Sequence, residues 1–568
     1  MEIQSTISAF QSVCRNFSFE KPATFSEDFA IKRFLKKMQE PDLSITQTLK
    51  DQCWTSWISF DEKLPQIVRP ASAWYRVRSR LHSLLANNKR VFSTTRARLP
   101  KGSEFEPTRG LNSLESRLCR SVWTCTYQNF DRFAEVCYEN YGLRTACKRR
   151  YAKWFRTHDF DLSRRESDLF LYQKFKESSN IGFNIFRYKL SCITQFQQGS
   201  RFSTVPKNNQ KRRPINVECF GNTLTQSVIG EGIREMLLKE YDIDLDTLSD
   251  LHRSKVSCPE RWATIDLSNA SDSVSMSLCN FLFPNWFMSM LEDTRSPFVL
   301  GPDGNYYPTK KISSMGNGFT FELMTLILTV LCKEFDSEAT VFGDDITIHP
   351  DRAPELMAHL TGVGFEVNSE KSFWTGPFRE SCGANFHSVE GYVESFDFHW
   401  PLTIGDCVVL HNKAYKLSLR YPSFKKLYNT FLRVLPNALH GGPAFSLEES
   451  RTTFQLPTVT FPLYFVTPKG PKVKSVLGKE LLDDLKDICY DGTKFYLIKG
   501  FEWKPDLKTQ FLTDLNARHH WAKYLMYLDA GRRVKDVISD SGEYRQIYFI
   551  SDGKTCFRVS TLKAVRPG

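Results

Sequence analysis

The sequence predicts a mixed α+β protein built from several subdomains, because of its length and two hydrophobic patterns. The chain has 568 residues, which is more than a single hydrophobic core usually serves, so roughly three or four subdomains are expected. Apolar residues recur at helical spacing over 224–240, which predicts a helix. Two β-favouring runs flank Gly343 within 339–348, and this pattern predicts a tight hairpin.

Charge and composition narrow the class of protein. The net charge of +12 suits a polyanionic partner, although a basic protein without such a partner fits the charge equally well. The 15 cysteines include no CxxC pair, which argues against a zinc finger and favours free thiols in a reducing compartment. The start of the chain lacks the apolar core of a secretory signal, and the apolar run 323–332 is shorter than the ~18 residues of a membrane span. These features predict a soluble, cytoplasmic protein.

The predicted hairpin carries two adjacent acids at its tip. Residues 339–348 read ATVFGDDITI, with Gly343 at the start of the turn, where a positive φ is needed, followed by Asp344 and Asp345. Two like charges this close are costly unless a cation neutralises them. A surface turn that happens to be acidic is the simpler interpretation of this segment taken alone.

A second acidic segment, ATIDLSNASDS at 263–273, strengthens the first. Asp266 follows the strand-like run 262–265, and Asp272 lies six residues further on. Asp266 alone could cap a helix. Together with the hairpin acids, however, one carboxylate from each of two neighbouring strands could hold two Mg²⁺ ions about 3.5–4 Å apart. One ion would activate an attacking 3′-hydroxyl and the other a leaving pyrophosphate.

Five segments occur in the order that is found in the replicases of single-stranded RNA bacteriophages. They are TVPKNN (204–209), ATIDLSNASDS (263–273), SSMGNGFTFEL (313–323), VFGDDI (341–346) and GPFRESCG (376–383). The chain therefore resembles the catalytic subunit of a levivirus-like RNA replicase, most clearly over about 204–400. The resemblance implies an RNA-directed RNA polymerase that copies a viral RNA genome by two-metal nucleotidyl transfer.

The resemblance also implies a right-hand fold with fingers, palm and thumb, the palm being an antiparallel sheet flanked by helices. On this basis residues 1–200 form an N-terminal region and part of the fingers, and 201–257 form fingers with the nucleotide-entry motif. Residues 258–400 form the palm, and 401–568 form the thumb and C-terminal region.

Residue roles follow from the same resemblance. Asp266, Asp344 and Asp345 match the metal-binding acids, for two Mg²⁺ ions that Mn²⁺ can replace. Asp272 and Asn317, with the adjacent Gly316, match positions near the sugar of the incoming nucleotide, where a 2′-hydroxyl can be hydrogen-bonded.

Four cations complete the expected site. Lys207, Arg212 and Arg213 fall in the finger motif that meets the triphosphate, where cations can stabilise the charge that develops on phosphate oxygens. Arg212 stands where relatives often carry an acid. Lys371 matches a lysine that protonates pyrophosphate, and it is equally consistent with a surface lysine.

The resemblance further implies partners: a single-stranded RNA template, ribonucleoside triphosphates, host elongation factors Tu and Ts and a ribosomal protein, in the cytoplasm of an infected bacterium and without a membrane. Two other functions stay open. A reverse transcriptase or DNA polymerase would share the acids, but the small residues after Asp266 favour RNA synthesis. A non-catalytic RNA-binding protein would tolerate loss of a metal acid, and all three are present.

Overall fold

The computed structural model describes most of the chain up to residue 435 and five short strands beyond it. The described residues are 2–38, 40, 45–64, 70–93, 105, 122–157, 181–207, 211–396, 398–402, 404–435, 463–465, 502–504, 538–539, 545–546 and 556–559. Helices and small sheets are interspersed along them, so the predicted mixed α+β class is confirmed.

Helices dominate the first 200 residues. In chain order the elements are α1 (Glu2–Asn16), α2 (Phe25–Lys37), α3 (Thr46–Lys63), α4 (Ser72–Asn87), a 3₁₀ turn (Lys89–Ser93), β1 (Trp123–Thr126), α5 (Phe130–Glu139), α6 (Tyr141–Thr157), α7 (Ile181–Cys192) and β2 (Thr194–Gln197). Strands β1 and β2 pair in parallel.

The middle of the chain contains most of the strands. Its first elements are β3 (Ser200–Pro206), β4 (Arg212–Val217), α8 (Phe220–Tyr241), α9 (Leu248–Val256), β5 (Ala263–Ile265), β6 (Leu267–Ser268), α10 (Ala270–Ser273), α11 (Met276–Leu282), α12 (Asn285–Thr294), β7 (Phe298–Leu300) and β8 (Tyr306–Pro308). The following elements are α13 (Thr320–Phe335), β9 (Thr340–Phe342), β10 (Asp345–Ile348), a 3₁₀ turn (Pro350–Arg352), α14 (Ala353–Thr361), β11 (Glu366–Val367), β12 (Phe378–Ser381), β13 (Ala384–His387) and β14 (Gly391–Tyr392).

The local sequence predictions in this region are confirmed. The helical pattern at 224–240 lies within α8, which ends where Asp242 adopts a left-handed conformation with φ of 56° and donates its N–H to the carbonyl of Leu238. The strand-like run 262–265 corresponds to β5, and the hairpin at 339–348 corresponds to β9 and β10.

The C-terminal part is described only in pieces. Helices α15 (Ile404–Ser418) and α16 (Pro422–Val434) are followed by β15 (Leu463–Phe465), β16 (Glu502–Lys504), β17 (Ile538–Ser539), β18 (Arg545–Gln546) and β19 (Cys556–Val559). Most of the region predicted as thumb, 401–568, therefore lies outside the described residues.

Two sheets matter for the site. A four-stranded sheet has the order β4-β3-β7-β8, in which β3 and β4 form an antiparallel hairpin. A three-stranded antiparallel sheet has the order β5-β10-β9. Strand β6, which follows β5 in the chain, pairs antiparallel with β11 in a separate two-stranded sheet.

A large apolar core supports the three-stranded sheet. Side chains of α13 such as Leu326, Leu328 and Leu331 are fully buried, because this helix is apolar on nearly all sides. They pack with α4, α8 and the inward side chains of β5, β9 and β10 in one cluster. Separate clusters join α1 and α2 to α15 and α16, and β1 to α5, α6, α7 and α8.

Within the described part of the chain, no helix combines the length and the apolar character that crossing a bilayer requires.

Candidate active site

The sheet register brings the acids of two distant segments to one edge. Strand β10 runs antiparallel to β5, with Ile346 opposite Ile265. One step further along this register, Asp345 lies opposite Asp266, which directly follows β5. Side chains directly opposite each other in antiparallel strands have Cβ atoms about 4.5–5.5 Å apart. The predicted meeting of these two carboxylates is therefore a consequence of strand pairing.

The turn between β9 and β10 depends on glycine and on helix α13. Gly343 has φ of 64°, and a Cβ atom there would lie 2.6 Å from Cε2 of Phe321. Its N–H donates to Oγ1 of Thr325 at 3.0 Å. Because both contacts come from α13, that helix fixes the turn that presents Asp344 and Asp345.

A loop after β11 holds Asp266 in place. The side-chain amide of Asn368 donates to Oδ2 of Asp266 at 2.6 Å, and its backbone N–H donates to the Asp266 carbonyl at 2.9 Å. The backbone N–H of Asp266 donates to Oγ of Ser372 at 3.1 Å. The Asn368 amide thus orients one carboxylate oxygen of Asp266, the residue that directly follows β5.

Burial and the crowding of negative charge raise the pKa values of the hairpin acids. Burial, together with the neighbouring Asp344 and Asp266 carboxylates, raises the pKa of Asp345 from its usual 3.8 to about 7. Loss of hydration and the Asp266 carboxylate also raise the pKa of Asp344. These shifts mean that the three acids lie close enough to repel one another.

The acids fit a divalent cation by their chemistry. Carboxylate oxygens are the ligands that Mg²⁺ prefers, and a cation would relieve the repulsion that raises the pKa of Asp345. Among the residues that the structure describes, no group of three or more His, Cys, Asp or Glu side chains is arranged to hold a metal ion. Asp266, Asp344 and Asp345 are the residues that would hold such an ion.

Cations from two other segments face the acids. Partial burial lowers the pKa of Lys207, as do the nearby charges of Arg213 and Lys371, while Asp266 opposes this change. Burial also lowers the pKa of Lys371, but Glu380, Asp266 and Asp345 outweigh it, so that its pKa is raised. The β3–β4 hairpin and the loop before β12 therefore bring three of the four predicted cations to the same place.

Arg212, the fourth predicted cation, has a different neighbour. Its Nε donates to Oγ1 of Thr204 at 2.6 Å, and its Nη2 donates to the Thr204 carbonyl at 3.0 Å. These contacts lie across the β3–β4 hairpin, where Arg212 pairs with Pro206. The guanidinium thus stabilises the hairpin that carries Lys207 and Arg213.

Asp272, in α10, is buried and is bound by protein groups. Its Oδ1 accepts hydrogen bonds from Nζ of Lys311 at 3.2 Å and from Oγ of Ser314 at 3.0 Å. Asn317 is buried in the following loop, where its Oδ1 accepts the N–H of Phe319 at 2.9 Å. Asn317 and both partners of Asp272 line one small polar cavity.

Gly316 allows this loop to approach strand β4. Its φ is 114°, and a Cβ atom there would lie 2.1 Å from the carbonyl oxygen of Asn216. The N–H of Asn216 donates to the adjacent Met315 carbonyl at 2.8 Å. Gly316 thus allows a close backbone contact between the loop and the hairpin strand, and its role in nucleotide binding stays a prediction.

Comparison with known proteins decides the family. The sequence model of the RNA replicase beta-chain family matches residues 59–461, which include all five motif segments and every candidate site residue. The chain belongs to the RNA replicase beta-chain family. The resemblance found in the motifs is confirmed.

Relatives in the family are similar over part of their length. The RNA-directed RNA polymerase subunit beta of Qbeta virus (strain MX1) is 35% identical over 259 residues, 44% of each chain. The corresponding subunit of Escherichia virus Qbeta is 36% identical over 267 residues, 45% of each chain. The RNA-directed RNA polymerase beta chain of Escherichia phage MS2 is 38% identical over 209 residues, which cover 35% of this chain and 38% of that protein. The matches thus span less than half of these relatives.

A solved structure gives a weaker likeness. The crystal structure of the RNA-dependent RNA polymerase of a human picorbirnavirus is 13% identical, with a TM-score of 0.28, over 42% of this chain and 55% of that one. A likeness at this level supports no conclusion about this chain.

Several residues of this replicase-family site were not predicted from sequence. Asn368 and Ser372 hold Asp266, Thr325 holds the glycine of the turn, and Lys311 binds Asp272. Asn, Ser and Thr at loop and helix positions carry no distinctive spacing. Lys311 lies two residues before the SSMGNG segment, and the adjacent Lys310 gives it no distinguishing pattern either.

The raised pKa of Asp345 predicts a pH-dependent stability. Because the folded state binds this proton more tightly than the unfolded chain, stability is lost as the pH rises from about 4 to about 7. Asp345→Asn should therefore have a higher thermal midpoint than the wild type at pH 8, and the difference should shrink towards pH 5. At pH 8, Mg²⁺ should raise the midpoint of the wild type more than that of the variant.

The control for this comparison is Glu370→Gln, which removes an exposed carboxylate from the loop that holds Asp266. It should follow the wild type at every pH. Parallel curves for the wild type and Asp345→Asn would contradict the electrostatic coupling of the three acids.

Proposed function

We propose that this protein is an RNA-directed RNA polymerase that replicates single-stranded viral RNA. The observation that carries the proposal is the register of β5 against β10, which places Asp266 opposite Asp345 at the end of the sheet. Asp344 lies in the adjoining turn, and Lys207, Arg213 and Lys371 face the same acids. Family membership supports this reading.

In the proposed reaction, Asp266, Asp344 and Asp345 hold two divalent cations, Mg²⁺ or Mn²⁺. When bound, such ions activate the attacking 3′-hydroxyl and stabilise the charge of the departing pyrophosphate. The protein contributes the position of the acids. Asn368 orients the Asp266 carboxylate, and Thr325 fixes the turn that carries Asp344 and Asp345.

The cations act on the triphosphate. Lys207 and Arg213 extend from the β3–β4 hairpin and bind the phosphate oxygens of the incoming nucleotide, where negative charge develops during transfer. Lys371 lies beside the acids with Nζ 3.6 Å from Glu380. The Lys371 side chain carries an ammonium at neutral pH, and in the proposed reaction it gives a proton to the departing pyrophosphate.

Asp272 and Asn317 select the sugar. Both side chains are buried, so a ribose 2′-hydroxyl that binds there gains hydrogen bonds that a deoxyribose cannot make. In this arrangement the fingers include 201–257 with part of 1–200, the palm is 258–400, and the thumb lies in 401–568.

The partners of the enzyme are a single-stranded RNA template and ribonucleoside triphosphates. The names of the relatives describe a subunit, which supports assembly with further proteins. We infer host elongation factors Tu and Ts and a ribosomal protein as those further subunits, in the cytoplasm of an infected bacterium.

The metal acids give the first test of the function. Asp344→Asn and Asp266→Asn should each abolish RNA synthesis on a primed RNA with Mg²⁺, while RNA binding stays near the wild-type level because phosphate contacts elsewhere supply the affinity. Nucleotide incorporation and filter binding measure the two properties separately.

The matched control is Asp351→Asn, which removes a carboxylate that is 87% exposed just after the same hairpin. It should synthesise RNA at the wild-type rate. An acid variant that keeps more than about a tenth of the rate, a barrier change of only ~1.4 kcal/mol, would contradict the metal assignment.

The finger cations give the second test. Lys207→Met and Arg213→Met should each raise the KM for nucleotides by roughly tenfold and lower kcat, because each removes a charged hydrogen bond to the triphosphate. Arg212→Met should raise KM much less, since Thr204 holds that guanidinium. Steady-state kinetics with a fixed template measure these effects.

Template affinity distinguishes the two roles that these cations could have. It should change little in the Lys207 and Arg213 variants. Weaker template binding with unchanged nucleotide kinetics would instead assign both side chains to the RNA backbone.

A further inference from the structure

A buried lysine lies between two carboxylates and an indole ring next to the proposed sugar site. Lys311 is only 1% exposed. Its Nζ lies 3.2 Å from Oδ1 of Asp272, 3.7 Å from Oδ1 of Asp61 and 3.8 Å from the ring centroid of Trp57. Lysine is rarely buried so completely, because the desolvation of an ammonium is costly unless it is paired. The fold therefore holds this charge at a defined point.

Helix α3, in the N-terminal region, fixes the backbone of this lysine as well. The Asp61 carboxylate accepts the N–H of Lys310 at 3.0 Å and the N–H of Lys311 at 3.3 Å. On the other side, the N–H of Ile312 donates to the Val274 carbonyl at 2.9 Å. Lys311 is thus held between α3 and the segment that follows Asp272.

The hydrogen bonds that the Asp272 carboxylate accepts from described residues are on one oxygen. Lys311 and Ser314 both donate to Oδ1, and no hydrogen bond to Oδ2 is found among the described residues. Two donors on one oxygen define the plane of a carboxylate. The second oxygen remains available as an acceptor.

We propose that Lys311, clamped by Asp61 and Trp57, is the positioning residue that prepares Asp272 to recognise a ribose 2′-hydroxyl. The ammonium offsets the charge of the buried Asp272 carboxylate and fixes its orientation, so that Oδ2 accepts the hydroxyl proton in a charge-assisted hydrogen bond. A deoxynucleotide leaves that oxygen unpaired, which is unfavourable in a buried site. Through Lys311, helix α3 sets the choice of sugar. The inference rests on the proposed polymerase function.

Single-nucleotide incorporation by the full chain, assembled with the proposed host subunits, tests this role. The measured quantity is kcat/KM for a ribonucleotide divided by kcat/KM for its 2′-deoxy analogue. Lys311→Met should lower this ratio by about tenfold or more. The variant would lose the hydrogen bond to the ribose 2′-hydroxyl, whereas a deoxynucleotide has no 2′-hydroxyl and makes no such bond even in the wild type. Asp61→Asn, which keeps an acceptor oxygen for the two N–H groups, should lower the ratio in the same direction but less.

Neighbouring side chains on the surface provide the matched controls. Lys310→Met removes an ammonium whose contact is the carbonyl of Glu62 at the surface, and Glu62→Gln removes an exposed carboxylate next to Asp61. Both should keep the wild-type ratio.

The outcomes separate positioning from structural support. Equal losses for both sugars in Lys311→Met would overturn the proposal and make the lysine a purely structural ion pair. If Lys311→Met does not fold, Asp61→Asn decides, and an unchanged ratio in that variant overturns the proposal. A wild type that incorporates no ribonucleotide would refute the polymerase function itself. If the wild type prefers ribonucleotides and both variants keep the wild-type ratio, only the role of Lys311 is refuted.

Discussion

The pairing of β10 with β5 is the constraint on which the rest of the site depends. The pair Ile346–Ile265 sets the register, and both side chains are buried in the core that α13 supports. A shift by one residue would turn each inward side chain outward, so the apolar core and the position of the acids are fixed together. The packing of the core therefore also fixes Asp266 opposite Asp345.

The second feature of the site is the arrangement of its positive and negative charges. Three acids repel one another at the sheet edge, and Lys207, Arg213 and Lys371 approach them from two other segments. Asp272 has its own buried counter-charge in Lys311. The acids at the edge thus face the exposed side chains of Lys207 and Arg213, whereas the buried Asp272 is paired with a buried lysine.

Sequence patterns predicted the parts of the site that depend on local geometry. Gly343 was predicted because a two-residue hairpin turn needs a positive φ, and Asp266 because it follows a short apolar strand. The order of five motifs led to the family. The same reasoning could not find Asn368 or Lys311, since each acts through a contact between segments far apart in the chain. It also grouped Arg212 with its neighbours, although the strand pairing directs that guanidinium to Thr204.

The most direct test of the account is the position of a bound divalent cation. Crystals of the full chain soaked in Mn²⁺ would reveal the ion by its anomalous scattering. If strand register builds the metal site, a peak lies between the carboxylates of Asp266, Asp344 and Asp345, and Asn368 stays bound to Asp266. A peak elsewhere in the protein, with none between these three carboxylates, would contradict the claim that strand register builds the metal site.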